Sequence, residues 1–299
     1  MVLQIDNVTK KFGKFTAVDQ LSLKIPEGEI FGFLGANGAG KTTTFRMILG
    51  LIDQTEGKIR WNDEVIDYSK TDYIGYLPEE RGLYPKMKVK EQMVYLGRLR
   101  GMDKKKVIKE LNYWLERFKI EGYLEKKVEE LSKGNQQKIQ FISSVINQPK
   151  LLILDEPFSG LDPVNVELLK DAVIELKNKG TTIVFSSHQM STVEELCEHL
   201  CIMQNGRPIV HGALTDIKRG FGKKNLLIHA DFNLDFLSEI PGVLKAKEVT
   251  EGVRLQIEDE SVSQTILTAI QDKGFVRKFD LLEPSLNDIF IEKVGESYV

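Results

Sequence analysis

The sequence predicts an α/β fold built on a parallel sheet, followed by a smaller α+β domain. Three observations carry this. The first is the apolar run Ile30-Phe31-Gly32-Phe33-Leu34, which enters Gly35-Ala36-Asn37-Gly38-Ala39-Gly40-Lys41-Thr42-Thr43 and then a helix-like spacing of Phe45, Met47, Ile48 and Leu49. Strand, Gly-rich loop and helix in this order match G-x-x-x-x-G-K-[ST], a phosphate-binding loop. The second is the apolar run Leu151-Leu152-Ile153-Leu154 ending in Asp155 and Glu156, the pattern of a buried parallel strand that delivers carboxylates at its C-terminal end. The third is a composition shift at the Gly/Lys-rich stretch 218–224. Beyond it the elements read β-α-β-β-α-β, a ferredoxin-like order.

The phosphate loop has a direct physical reading. Glycines let the backbone curl so that successive N–H groups face one hollow. The helix behind adds unpaired N–H groups and a positive dipole end. Lys41 is placed to reach β- and γ-phosphates, and the Thr42 hydroxyl to ligate Mg²⁺. A Gly-rich turn with no ligand would not require the flanking strand and helix.

The chain has 299 residues, enough for one large domain or a medium one with a small companion. Its 41% hydrophobic and 28% charged residues are ordinary for a soluble globular protein. A formal net charge of -3 gives no global basic footprint, so no nucleic-acid partner is expected. Only Cys197 and Cys201 are present, which argues against a disulfide framework and fits a reducing compartment. With His199 they offer one conceivable metal site; the other reading is packed thiols at a helix-to-strand junction. No window approaches the roughly 18 apolar residues of a membrane span, and the N-terminus lacks the basic start and apolar core of a signal peptide. A cytoplasmic protein is expected, with any membrane role reached through a partner.

In chain order, residues 2–30 alternate like strands, and Pro26-Glu27-Gly28-Glu29 turns into the phosphate-loop strand. Phe12 and Phe15 lie between the first two strands; each suits the core or stacking on a nucleotide base. Strands follow at 57–61, 64–66 and 73–76. The charged, proline-bearing loop Leu77–Pro85, with Glu79, is a candidate contact loop. Residues 88–130 carry apolar positions at three- and four-residue spacing, and Lys104-Lys105-Lys106 marks a solvated helix start. Leu131-Ser132-Lys133-Gly134-Asn135 opens a further helix that Ser132 can cap. Such a start is an ordinary capped helix or an anion seat.

At the second apolar strand, Asp155 can hold Mg²⁺ and Glu156 can take a proton from an attacking water. Ser159-Gly160-Leu161-Asp162 turns into another helix. The strand Thr181–Phe185 then ends at Ser186-Ser187-His188, with the imidazole near the same sheet edge. The expected domains are 1–217, with a helical subdomain at about 88–145, a joint at 218–224, and 225–299. The last has strands at 226–228, about Gly252 and at 276–282, and helices at 234–240, 262–270 and 286–294.

With five signals in order over residues 1–215, the chain resembles the nucleotide-binding subunit of an ABC transporter, a P-loop NTPase with an antiparallel β subdomain and a helical subdomain. The resemblance implies ATP and Mg²⁺ as cofactors. Leu131–Asn135 resembles the family signature, usually Leu-Ser-Gly-Gly-Gln; Lys133 and Asn135 depart from it, and Ser132 and Gly134 keep it. Ser159–Asp162 resembles the D-loop, with Asp162 signalling across an interface, and His188 the switch histidine that touches γ-phosphate. Phe12 falls at the adenine-stacking position, which leaves Phe15 for the core. Glu79 stands where the family has Gln. It would add a third carboxylate beside Asp155 and Glu156, absorbed by Mg²⁺ or by a raised carboxyl pKa.

Glu79, the Leu-Tyr-Pro stretch and the C-terminal domain resemble ATPases of the ABC-2 export class, and within it the sodium-extruding subgroup. The family architecture implies two cassettes head to tail, a second copy or a related chain. Each ATP then lies between one phosphate loop and the other chain's signature, and the pair drives a membrane-spanning permease from the inner face of the cell membrane. Glu156 would be the general base. A soluble ABC ATPase acting on ribosomes or chromosomes is the competing class; the tandem cassettes or long coiled coil usual there are absent from this sequence.

Overall fold

Strands covered on both faces need side chains apolar on both, and the two unbroken apolar runs take such places. In the computed structural model, which describes residues 2–66, 72–80, 82–222, 224–250 and 252–295, β3 (Ile30–Leu34) and β7 (Leu151–Leu154) are buried along their whole length. They flank β8 (Thr182–Ser187) in a six-stranded sheet ordered β10-β9-β3-β8-β7-β6. Here β6 is Ile74–Leu77, β9 His199–Gln204 and β10 Arg207–Ala213. The pairs β6–β7, β7–β8, β8–β3 and β3–β9 are parallel. Leu77 aligns with Leu154, Leu154 with Phe185, and Leu34 with Ser187. The residues that follow these strands therefore share one sheet edge. Arg81 and Lys223, within stretches singled out above, lie outside the described residues.

A second sheet, β2-β1-β4-β5, is antiparallel: β1 (Val2–Phe12), β2 (Phe15–Pro26), β4 (Glu56–Trp61) and β5 (Glu64–Val65). Asn62 and Asp63, at φ 53° and 67°, join the last two, as a two-residue hairpin loop requires. One core unites both sheets. Leu3, Ile5, Val18, Leu21 and Ile25 pack with Phe31, Phe33, Ile153 and, from α1 (Lys41–Ile48), Phe45. Phe33 meets Phe45 edge-on at 5.4 Å between ring centroids.

The helical pattern of 88–130 divides into α2 (Val89–Leu99), α3 (Lys104–Arg117) and two short 3₁₀ turns, Glu121–Tyr123 and Val128–Glu130. Gly101, at φ 74°, ends the first helix, and Asp103 caps the second by accepting from the Lys105 N–H. With α4 (Lys133–Val145) they pack around Trp114, Phe118 and Phe141. Two further helices, α5 (Pro163–Asn178) and α6 (Met190–Leu196), flank the parallel sheet's later strands in sequence.

The chain divides into Met1–Gly212 and Ala213–Val299. The boundary falls before the expected joint, because 214–220 forms α7 (Leu214–Gly220). Asp216 in its first turn and Lys218 and Arg219 in its last suit the helix dipole. The second unit has β11 (Lys224–Ala230), β12 (Val243–Val249), β13 (Gly252–Ile257) and β14 (Val276–Leu282), ordered β12-β13-β11-β14 and antiparallel throughout. With α8 (Ser261–Ile270) on a core of Leu226, Ile228, Leu255, Ile257 and Ile266, this is the ferredoxin-like order; α9 (Leu286–Gly295) follows. The helix expected at 234–240 is only a 3₁₀ segment, Asp235–Glu239. Pro241 pushes Ile240 into extended backbone, at ψ 128°, and stops it.

Candidate nucleotide-binding site

Where the parallel strands end, a cavity of about 300 Å³ is lined by Asn37, Gly38, Ala39, Gly40, Lys41, Thr42 and Thr43, by Glu79, Asp155 and Glu156, and by Phe15 and Ala17. Its floor is the loop from β3 to α1. Gly40 is the N-cap of α1 at φ 103°, and no side chain caps the helix, so its first amides stay available to an anion. A Cβ on Gly40 would meet the Ala17 carbonyl at 2.6 Å; only glycine fits there.

Lys41 is buried, and its Nζ donates to the Gly35 carbonyl at 2.7 Å and to that of Ala36 at 3.3 Å. Burial lowers its pKa, opposed by the charges of Glu156, Asp155 and Glu79. Three carboxylates thus face one lysine across the cavity. The Thr42 hydroxyl donates to Asp155 Oδ2 at 2.9 Å, tying the end of β7 to the phosphate loop. Tyr76 lies beneath, its phenol pushed up to about 12 by burial and then by the Asp155 charge.

Glu156 adopts φ 50°, unusual without a glycine. Its N–H donates to Ser186 Oγ at 2.9 Å, and its carboxylate Oε2 lies 2.9 Å from His188 Nδ1. His188 itself is 61% exposed. Sequence reading brought Glu156 and His188 to one edge but passed over Ser186. Its only signal was a polar residue directly after the apolar run Ile183-Val184-Phe185.

Residues 131–135 do not line this cavity. Leu131 is buried and Ser132 exposed; Ser132 caps α4 by accepting from the Asn135 N–H at 3.4 Å. Asn135 donates from its side chain to Tyr123 Oη at 3.0 Å, which gives this departure from the signature pattern a local partner. Lys133 is exposed. A Cβ on Gly134 would touch Asn165 Nδ2 at 3.2 Å and Leu161 at 3.7 Å. The signature therefore adjoins the turn Ser159-Gly160-Leu161-Asp162 of its own chain, where Asp162 caps α5 through the Asn165 N–H.

One expectation changes. Phe15, assigned to the core, is 64% exposed and forms the cavity wall. Phe12, assigned to the base, is 50% exposed and does not line it. The two pair directly across the β1–β2 ladder, so both rings stand on one face. The short hairpin tip lacks a core to cover them. Cys197 and Cys201 are both buried. Burial holds Cys197 well above the usual thiol range and pushes Cys201 up to about 12. Cys197 Sγ packs where a Gly32 Cβ would stand, at 2.9 Å, and His199 turns to Glu29 at 2.6 Å. This is the packed-thiol reading.

A glycine-rich loop between a parallel strand and a helix, with acids ending a second strand, defines a P-loop nucleotide-binding ATPase. Within that class the chain belongs to the ATP-binding subunits of ABC transporters, which hydrolyse ATP to power transport. Residues 18–159 match the ABC transporter family and residues 212–294 the C-terminal domain of DrrA1-3-like ATP-binding proteins. The chain is 65% identical over 297 residues to an uncharacterized ABC transporter ATP-binding protein, YhaQ, of Bacillus subtilis (strain 168), covering 99% of this chain and 100% of that one. It is 30% identical to the linearmycin resistance ATP-binding protein LnrL of the same organism, over 99% of both chains. To the Nod factor export ATP-binding protein I of Cupriavidus metallidurans it is 32% identical, over 98% of this chain and 97% of that one. A solved ATP-binding subunit of an ABC transporter superposes with a TM-score of 0.69 at 30% identity, covering 74% of this chain and 94% of that one. Subunits of this family work with a membrane permease and typically dimerise. Among the described residues no helix is long and apolar enough to cross a membrane.

Proposed function

We propose that this chain is the ATPase of an exporter, acting as a pair of cassettes on the cytoplasmic face of a membrane-spanning permease. The observation that carries this is the division of the chain's own parts. The cavity holds a phosphate loop and three acids, while Ser132 and Gly134 stand outside it, exposed or half-exposed beside the 159–162 turn. A second cassette, a copy of this chain or a relative, would bring its signature over the γ-phosphate.

In this reading the amides of residues 38–43 and Lys41 hold the phosphates, and a ring at the Phe12–Phe15 tip stacks on adenine. Mg²⁺ fits the donors present. Thr42 and Asp155 offer hard oxygens 2.9 Å apart, with Glu79 on the same wall. An ion held by one or two carboxylates and by phosphate is the usual Mg²⁺ arrangement in such sites. When bound, it would neutralise charge developing on the β- and γ-phosphate oxygens. Glu156 takes a proton from the attacking water. His188, fixed against Glu156, contacts the γ-phosphate, and Asp162 reports across the interface.

The exposed α2 face beside the 79–85 loop, with Tyr95 and Leu99, is where the permease would bear on the cassette. One relative is a linearmycin resistance ATP-binding protein and another a Nod factor export ATP-binding protein, which supports export; sodium or a drug is the cargo class proposed. Co-expression with the membrane subunit and assay of ATP-dependent sodium and drug efflux from cells tests the reading. A chain that hydrolyses ATP but copurifies with no permease and drives no efflux would overturn the exporter assignment.

A further inference from the structure

We infer that Ser186 is a positioning residue for ATP hydrolysis: one buried hydroxyl sets the carboxylate of Asp155 and the backbone of Glu156 against each other. The inference deepens the metal and base roles proposed above and rests on them.

The ladder between β7 and β8 runs from Leu151–Thr182 to Leu154–Phe185 and ends there. At the next step a side chain takes over. Ser186 Oγ donates to Asp155 Oδ1 at 2.6 Å and accepts from the Glu156 N–H at 2.9 Å. A serine hydroxyl has one proton, and Asp155 takes it; the lone pairs are thereby free for Glu156. Ser186 is 0% exposed, so water does not substitute for either bond.

Both partners need such a restraint. The two carboxylate oxygens of Asp155 are held from opposite sides, Oδ2 by Thr42 of the phosphate loop and Oδ1 by Ser186 of β8. Rotation of the carboxyl would release one of them. Glu156 is a non-glycine residue at φ 50°, a conformation that persists only where surrounding structure determines it. Its two backbone anchors are the N–H bond to Ser186 and the carbonyl that accepts from the Ser159 N–H at 3.1 Å. His188, two residues beyond Ser186 on the same segment, meets the Glu156 carboxylate. The end of β8 therefore holds the acid pair at the Asp155 carboxylate, the Glu156 backbone and the Glu156 carboxylate. An apolar residue at 186 would leave a buried carboxylate oxygen and a buried N–H unpaired.

The test compares native full-length chain with Ser186→Ala, Ser186→Thr and Ser186→Val. Steady-state ATPase gives kcat and KM, and Mn²⁺ binding to the ATP-loaded chain is read by electron paramagnetic resonance. Loss of a partner that orients a metal ligand lowers activity or metal affinity about 10–100-fold. Ser186→Ala is expected to lose that much in kcat, with KM for ATP little changed, and to bind Mn²⁺ more weakly. Ser186→Thr should recover both readouts. Ser186→Val, of the same shape but without the hydroxyl, should not. If Ser186→Ala fails to fold, the Thr and Val pair decides. Native kcat and native Mn²⁺ affinity in Ser186→Ala, or equal impairment of the Thr and Val variants, would overturn the inference. A native chain that neither binds Mn²⁺ with ATP nor hydrolyses it would count against the site roles themselves and not against Ser186 alone.

Discussion

Replacing Glu156 by Gln exchanges one carboxylate oxygen for an amide of the same shape. The backbone anchors are unaffected: the N–H still reaches Ser186, and the carbonyl still accepts from Ser159. The side-chain contact at stake is the 2.9 Å approach of His188 Nδ1, and His188 is mostly exposed. With the imidazole mostly in water and the Glu156 carboxylate only 11% exposed, this contact is taken as worth about 0–1 kcal/mol. Stability should therefore fall by no more than about 1 kcal/mol, or roughly 2–4 °C in melting temperature for a unit of this size. Turnover should respond on a different scale. An amide cannot take a proton from water, and loss of a general base lowers the rate about 10²–10⁴-fold, or roughly 2.7–5.4 kcal/mol of barrier. Phosphate release from Mg-ATP by the purified chain measures this, with light scattering to detect ATP-bound pairs, which should accumulate. Near-native turnover, or a loss of activity matched by a large drop in melting temperature, would refute the assignment of Glu156 as base.

Three more outcomes are expected. Ser132→Arg should abolish hydrolysis while leaving ATP binding by the single chain intact, since residue 132 lies outside the cavity; equilibrium dialysis showing lost binding would sink the composite site. Phe15→Ala should weaken ATP binding by about 5–150-fold, the loss of one base–ring stack worth roughly 1–3 kcal/mol, and Phe12→Ala should weaken it less; the reverse order would move the adenine to Phe12. Iodoacetamide at pH 8.5 should spare both cysteines in the folded chain and label both in denaturant. Their folded pKa values are raised above the unfolded value near 8.5, so the protonated thiols favour folding below that pH. For Cys201 this contribution is lost as pH rises from about 8.5 toward 12. Rapid labelling of the native chain, read by mass spectrometry, would contradict the buried placement.

Much of this was legible because the decisive features are local. A strand, four defined loop positions and a helix can be read from spacing alone, and a run of four apolar residues before two acids places those acids at a strand end. The small domain's order was equally readable from its alternating pattern. What failed had both local and distant causes. Phe15 falls to the core because the resemblance gives the stacking place to Phe12, yet its ring stands exposed at the hairpin tip. The stretch 218–224 looks like a joint from its Lys and Gly, but its first three residues close α7, whose charges are arranged as a helix prefers. Leu234–Ile240 has helical spacing, and Pro241 cuts it to a 3₁₀ turn. Ser186 was invisible because its importance lies 31 residues away, at Asp155.

The grip of α4 on the loop after β6 has a mechanical meaning. Gln140, buried on α4, donates its amide to the carbonyls of both Pro78 and Glu80, at 3.2 and 3.1 Å, and its own Oε1 has no partner among the described residues. Those carbonyls flank Glu79, and Ser132 caps the same helix eight residues earlier, about 12 Å along its axis at 1.5 Å per residue. Two hydrogen bonds thus couple residues 78–80 to the helix whose N-terminus Ser132 caps. If two cassettes pair as proposed, a displacement of residues 78–80 would reach Ser132, and with it the nucleotide of the neighbouring cassette rather than the one Glu79 borders.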